Sequence, residues 1–544
     1  MSSNPNLGSH SSYEEAVYAL NGLQSNAVVL KKAREERNTN AHLHIINTKK
    51  HLTALGIHLE DLDALNIIHV SGTKGKGSTC AFTESIIRTY GYKTGFYSSP
   101  HLISVNERIR INGQPLSKEE FAKYFWEVYR SIQSSLKNGE SMPTYFLFLT
   151  VMAFYVFVKE KVHAAVVEVG VGGLYDCTNV IRKPVVVGVT SLGFDHVNVL
   201  GHTITEIAAQ KAGIFKTDVP AFTVPQPENA IKVLQKAAQN VNCPLVLAPP
   251  LEAYDKNISL GIPGIVQNVN ASLALQLARV WLSKHDEAYS AVFDWSRNQE
   301  LLLENSNLFS VPLTMASPYI LNSKIKEALV SSTWPGRFQV LKKPRITFYL
   351  DGAHTQQSMK YCARWFNESS ETEKTNLRSS VKVLLFNCTG ERKAESLLDP
   401  LADINFDAVV FTPNRISVTK DSTSDQSNFT VDPEKEIDQC VTNREIWCHL
   451  MRSLYENKLN IASYSTSVSN SEAQARLQCD NSVLFSCLKN AVDWLFSSTN
   501  EYDPYFSDPT GSLTELLKNA DHIQILITGS LHLVGNVLGL IEKK

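Results

Sequence analysis

Long apolar runs are missing from this chain. Its most hydrophobic stretch, Tyr145 to Val158, falls short of the roughly 20 residues a membrane span needs and is aromatic throughout, so it reads as a buried core helix. Charge of one sign is missing too. With 52 basic against 54 acidic side chains, a net charge of -2 and no long basic run, nucleic acid is excluded as an expected partner. Cysteine is sparse: nine residues, an odd number, with no C-x-x-C pair and no interleaved histidines. That excludes a disulfide framework or zinc module and points to thiols in a reducing compartment. The opening, MSSNPNLGSHSSYEEAV, lacks arginine and carries Glu14 and Glu15 early. It reads as neither a signal nor a transit peptide, which makes the cytoplasm the expected compartment and leaves a mitochondrial pool open. What is present is 43% hydrophobic and 19% charged residues over 544 positions, the balance of a globular protein too long for one core.

From NIIHV onward, short apolar runs alternate with amphipathic stretches. KTGFYS, HAAVVEVG and PVVVGVTSL each end in small or polar residues, which predicts a mostly parallel α/β sheet. Before them the chain from about Tyr13 to Leu55 reads as helical. Strand rhythm fades after Ser283 and resumes with RITFYLDGAH, VKVLLFNCTG, FDAVVFTPN and HIQILITGS. The expected organisation is a first domain over 1–310, a linker over 311–332 and a smaller, doubly wound α/β domain over 333–544. A polar tract over about 415–480 is expected to be a mobile insertion, helical from Glu445 to Glu456. Ligands in such sheets collect at the carboxyl ends of the strands.

The strongest local signal is IIHVSGTKGKGSTCAF, a strand running through Gly75, Lys76, Gly77 and Ser78 into a helix. Glycines let backbone N–H groups turn toward an anion, the helix N-terminus adds partial positive charge, and Lys76 supplies a full one. Gly77 stands where the strict G-x-x-x-x-G-K-[ST] loop places a magnesium-binding hydroxyl, so that hydroxyl must come from elsewhere. The plainer alternative is a glycine-rich turn.

With HVSGTKGKGST, YSSPHL, ERIRING, EVGVGGLYDCTN, SLGFDHVNVLG, QKAGIFK, WPGR, YLDGAH and ITGSLHLVG in order, the chain resembles the Mur ligase superfamily. Within it the chain resembles the folate branch, the folylpolyglutamate synthases of eukaryotic type. The resemblance covers roughly residues 13–411 and 521–540 and implies a P-loop ATPase domain followed by a smaller ligase domain. It implies magnesium held by Ser99, Glu168 and His196, and a carbamylated Lys211. Read singly, Ser99 is a turn residue, Glu168 a paired core carboxylate and Lys211 a solvated side chain. Glu168 is the most telling, since a carboxylate inside an apolar strand must find a cation or hydrogen bonds. Gln267 and Asn270 match the family's nucleotide contacts, with Val266 in place of its usual histidine. Arg337 matches the residue reaching the ATP phosphates and Asp351 a nucleotide-contacting acid. A surface turn and a strand-end cap are their plain alternatives. His354 joins Lys76 and Lys211 as a catalytic candidate.

The resemblance implies a monomer, activated by potassium, that uses ATP, a reduced folate and L-glutamate. The folate's terminal carboxylate, ionised at neutral pH with a pKa of about 4.3, attacks the γ-phosphorus of ATP. The amine of glutamate then displaces phosphate from the acyl phosphate. SSPHLISVNERIRING is the expected folate-lining loop. Dihydrofolate synthase, a non-catalytic nucleotide-binding regulator and a P-loop kinase are the alternatives.

Overall fold

The computed structural model describes residues 12–24, 42–290, 313–374, 380–388, 392–418, 425–426, 433–462, 481–497, 503, 505 and 511–542. The chain divides into two compact units, Met1–Trp334 and Pro335–Lys544.

The helical opening resolves into α1 (Tyr13–Asn21) and α2 (Leu43–Ala54), with 25–41 outside the described residues. Ser12 caps α1, its hydroxyl accepting from Glu15 N–H while the Glu15 carboxylate accepts from Ser12 N–H. The first sheet is built from β1 (Ile68–Ser71), β2 (Thr94–Tyr97), β3 (Ile109–Ile111), β4 (Gln114–Pro115), β5 (Ala164–Glu168), β6 (Val186–Val189), β7 (Ala221–Thr223) and β8 (Leu245–Leu247). Their spatial order is β4-β3-β2-β5-β1-β6-β7-β8. All neighbours run parallel except the β2-β3-β4 edge. The four apolar runs read from the sequence are β1, β2, β5 and β6, buried on both faces as parallel strands require.

Helices cover that sheet: α3 (Lys76–Thr89), α4 (Lys118–Ser135), α5 (Tyr145–Lys159), α6 (Val197–Leu200), α7 (Ile204–Ala212), α8 (Glu228–Asn240), α9 (Val266–His285) and α10 (Ser323–Ser331). The aromatic stretch is α5, apolar all round and accordingly buried, with Phe148, Val151, Met152 and Phe157 at 0% exposure. Each such side chain contributes about 1.5–3 kcal/mol of burial. The stretch expected as a linker is core from residue 313 onward. Leu313, Ala316, Leu321, Ile325, Ala328 and Leu329 are all buried, and Ala316 N–H donates to Leu247 C=O at 2.8 Å.

The second unit holds β9 (Gln339–Lys342), β10 (Ile346–Leu350), β11 (Ser380–Phe386), β12 (Ala408–Phe411), β13 (Ser482–Leu484) and β14 (His522–Thr528), ordered β13-β12-β11-β14-β10-β9. Only the β10-β9 pair is antiparallel. Its helices are α11 (Gln356–Lys374), α12 (Ala394–Ala402), α13 (Pro433–Ala462), α14 (Leu488–Ser497), α15 (Ser512–Asn519) and α16 (Leu531–Glu542). Within the polar tract expected as an insertion, the bounds of the helix are corrected. The helix begins at Pro433, not Glu445, and buries Ile437, Cys440, Asn443 and Trp447 against the sheet core. Residues 463–480 lie outside the described residues.

Candidate active site

β1 delivers the chain to the glycine loop at the carboxyl edge of the first sheet. Thr73 and Lys74 N–H both donate to Ser191 C=O (3.0 and 3.1 Å), and the Thr73 hydroxyl donates to Gly193 C=O (3.1 Å). The loop is thereby pinned to the segment after β6. Gly75 turns it with φ +90°, and a side chain there would collide with the Asn270 amide. The first intrahelical bond runs from Thr79 N–H to Gly75 C=O (2.9 Å), so the N–H groups of Lys76, Gly77 and Ser78 are first-turn donors that suit an anion. Gly77 has a steric reason as well: a Cβ there would sit 3.0 Å from the Trp334 indole nitrogen. Trp334 stacks on Phe96 at 5.3 Å and lies under the Arg110 guanidinium at 5.2 Å.

Two lysines converge on one carbonyl. Lys76 Nζ donates to Gly72 C=O at 3.2 Å and Lys211 Nζ to the same oxygen at 2.8 Å. The solvated alternative for Lys211 is therefore excluded: on α7 it is 4% exposed. Burial, and then the Lys76 charge, drive its pKa far below the ordinary lysine value. Glu168, at the end of β5, places Oε1 3.9 Å from Lys76 Nζ and accepts Ser99 N–H at Oε2 (3.2 Å). That lysine pair is long beside the 2.7–2.9 Å of a close charged contact. Ser99, half-buried after β2, meets this carboxylate through its backbone N–H. His196 sits with φ +50° before α6. Its pKa is lowered, by burial first and also by Lys76, Lys211 and Lys74, against the raising effect of Asp195. A neutral imidazole keeps the lone pair a metal needs.

Among the described residues no three His, Cys, Asp or Glu side chains form a ready metal cage. Magnesium does not require one, since it takes one or two carboxylates and completes its shell with phosphate oxygens and water. Glu168 with the Ser99 hydroxyl fits that donor set.

Gln267 and Asn270, both buried at the start of α9, are joined by an Asn270 Nδ2 to Gln267 Oε1 bond of 2.9 Å. Three residues without a place in the sequence reading also belong here. Lys74 pairs with Asp195 at 2.9 Å and ties the loop to His196's segment. His69, fully buried in β1 and pushed down to about 3, donates from Nε2 to the Thr178 hydroxyl (2.9 Å), which donates to Asp176 Oδ1 (2.6 Å). A histidine inside an apolar strand was the available signal.

In the second unit, Asp351 at the end of β10 spends both oxygens on backbone, accepting Phe338 N–H (3.1 Å) and Ala353 N–H (3.0 Å). Burial raises its pKa and Arg337 opposes the rise. The turn carrying Arg337 is closed by Gly352 N–H to Gly336 C=O (3.0 Å), so Asp351 acts on that turn as well as capping its own strand. His354 Nδ1 lies 2.8 Å from Gly352 C=O, which puts the ring proton on Nδ1 of the neutral ring.

The Mur ligase middle domain family matches residues 70–260. A human protein named folylpolyglutamate synthase, mitochondrial, is 45% identical over 552 residues, spanning 97% of this chain and 92% of that protein. Among solved structures, Mycobacterium tuberculosis folylpolyglutamate synthase complexed with ADP matches with a TM-score of 0.63 at 21% identity, covering 98% of this chain and 99% of that one. An FPGS-AMPPCP-folate complex matches with a TM-score of 0.61 at 20% identity, covering 98% and 100%.

Proposed function

Because the chain belongs to the folylpolyglutamate synthase family, ATP-dependent ligases that form amide bonds, we propose that it adds L-glutamate to the glutamyl side chain of tetrahydrofolates through an acyl phosphate. The observation that carries this reading is the convergence of Lys76 and Lys211 on Gly72 beside Glu168, over a helix N-terminus.

The first-turn N–H groups of α3 take the ATP phosphates, and Lys76 neutralises charge developing on the transferred phosphoryl group. Gln267 and Asn270 contact the nucleotide. Glu168, Ser99 and His196 would hold magnesium, which would supply further neutralisation of phosphate charge. A lysine kept neutral by burial is nucleophilic toward carbon dioxide, which supports a carbamate at Lys211. Arg337, with Asp351 holding its turn, is assigned to phosphate oxygens, a task suited to a planar guanidinium. His354 remains the catalytic candidate of the second unit. The human relative's name supports a mitochondrial pool beside the expected cytoplasmic one.

Purified protein with ATP, magnesium, tetrahydrofolate and labelled glutamate tests the reading. One ADP and one phosphate should appear per glutamate incorporated, and dihydropteroate run in parallel should be a poor acceptor. ADP release without label entering folate overturns the ligase, and preference for dihydropteroate makes the chain a dihydrofolate synthase instead.

A further inference from the structure

We propose that Trp334 is a further nucleotide-binding residue, its indole N–H donating to a phosphate oxygen of ATP from the room that a hydroxyl at position 77 would fill. That role rests on the reading of the glycine loop as the nucleotide site.

The strict P-loop carries Ser or Thr directly after its lysine, and in this chain that position is Gly77. The space beside it is taken. A Cβ built on Gly77 would lie 3.0 Å from Trp334 Nε1 and 3.1 Å from Cε2 and Cζ2, so the nitrogen-bearing edge of the indole stands against the first turn of α3. An indole there brings different chemistry from a hydroxyl. A hydroxyl donates, accepts and can ligate a cation, whereas an indole Nε1–H donates and does nothing else. The edge therefore suits an anionic oxygen and turns a metal away, in keeping with metal donors that lie elsewhere, at Glu168.

The ring is fixed before any ligand arrives. Phe96 of β2 stacks on it at 5.3 Å with the planes 29° apart, and the Arg110 guanidinium lies over it, 5.2 Å from the centroid. Arg110 is itself tied down, donating from Nε to Glu107 C=O (3.2 Å) and from Nη1 to Gly113 C=O (3.4 Å), which keeps a positive charge beside the loop. The chain reaches Trp334 from α10, and α10 is held on α3 by the Ser85 hydroxyl donating to Ala328 C=O (3.0 Å). The Ser332 hydroxyl closes the end of α10 on that same oxygen (2.7 Å).

What points to a ligand is the N–H itself. Trp281 and Trp494 give theirs to Asn66 C=O (2.9 Å) and the Thr514 hydroxyl (3.1 Å), and those of Trp126 and Trp447 are sealed inside the protein. Half-buried Trp334 donates to none of the described residues, and its nitrogen stays open to solvent. An unspent donor fixed next to the first-turn N–H groups of Lys76, Gly77 and Ser78 completes one cradle for phosphate.

The test is equilibrium binding and steady-state kinetics on full-length wild type and Trp334→Phe, which keeps an aromatic ring against Phe96 and Arg110 and removes the N–H. Kd for a nonhydrolysable ATP analogue and for ADP should rise about tenfold, the scale of one hydrogen bond to a charged acceptor. At saturating ATP, KM for tetrahydrofolate and for glutamate and the half-maximal magnesium concentration should stay as in wild type. Indole N–H spectra of 15N-labelled wild type supply a second readout and decide alone if the variant does not fold: one of the seven tryptophan signals should move downfield when the analogue is added. In a folded Trp334→Phe that signal should be missing. Unchanged nucleotide Kd in the folded variant, an equal loss for all three substrates, or indole signals that do not move downfield overturn the inference while wild-type nucleotide binding stands. A wild type that binds neither the analogue nor ADP overturns the nucleotide reading and this inference with it.

Discussion

At Lys211 an amine that most helices leave in water is held inside the protein, 2.8 Å from the Gly72 carbonyl and facing the charge of Lys76. Its depressed pKa has a consequence for stability. Between the folded value and the ordinary lysine value, the unfolded chain carries a proton that the folded chain does not, so stability rises with pH through that interval. Lys211→Met removes this contribution. The variant should show a flatter increase in urea midpoint than wild type as pH rises toward the ordinary lysine value of about 10.4, measured in buffers free of carbon dioxide. Equal slopes would place the lysine's proton in solvent reach and refute the buried amine. The sequence could not anticipate this burial. EIAAQKA has the charge spacing of a surface helix, and what encloses Lys211 is the glycine loop 139 residues away. Glu168 was legible for the opposite reason, because a carboxylate in an apolar strand declares its own need for partners.

Among the elements, the phosphate loop explains its own departure from the strict P-loop pattern. A hydroxyl at position 77 would have to share space with the Trp334 indole, 3.0 Å from the site of its Cβ, so Gly77→Ser should destabilise the first unit by about 1–3 kcal/mol. Trp334→Leu in the same chain should recover part of the loss. A double-mutant cycle by thermal unfolding measures the coupling, and additive effects would show that the two positions do not meet. Strands buried on both faces were readable because continuous Val and Ile runs leave little choice. The short β7 and β8 were not, being three residues each inside longer polar text. The β3-β4 hairpin was available in ERIRING: Asn112 and Gly113 both have positive φ, as an Asn-Gly turn of two residues requires. The start of α13 was hidden by Asn443, a polar residue on the buried face that breaks the apolar period.

For the whole molecule, the two units each carry their own sheet and core, and a domain with its own core can unfold as its own cooperative step. Calorimetry of the intact chain should therefore resolve two transitions. The glycine loop, Glu168, Gln267 and Asn270 all lie in the first unit. A nonhydrolysable ATP analogue with magnesium should raise that unit's transition, by about 2.7 kcal/mol at a hundredfold excess over Kd, because a ligand that binds only the folded form stabilises it by mass action. Lys76→Ala identifies which transition this is: it should abolish most of the shift while leaving both transitions in place, since Lys76 makes one long contact with Glu168 and one with Gly72 and anchors no core. A nucleotide shift confined to the second unit's transition, or one that survives Lys76→Ala undiminished, would mean that the phosphates bind somewhere other than the loop between β1 and α3.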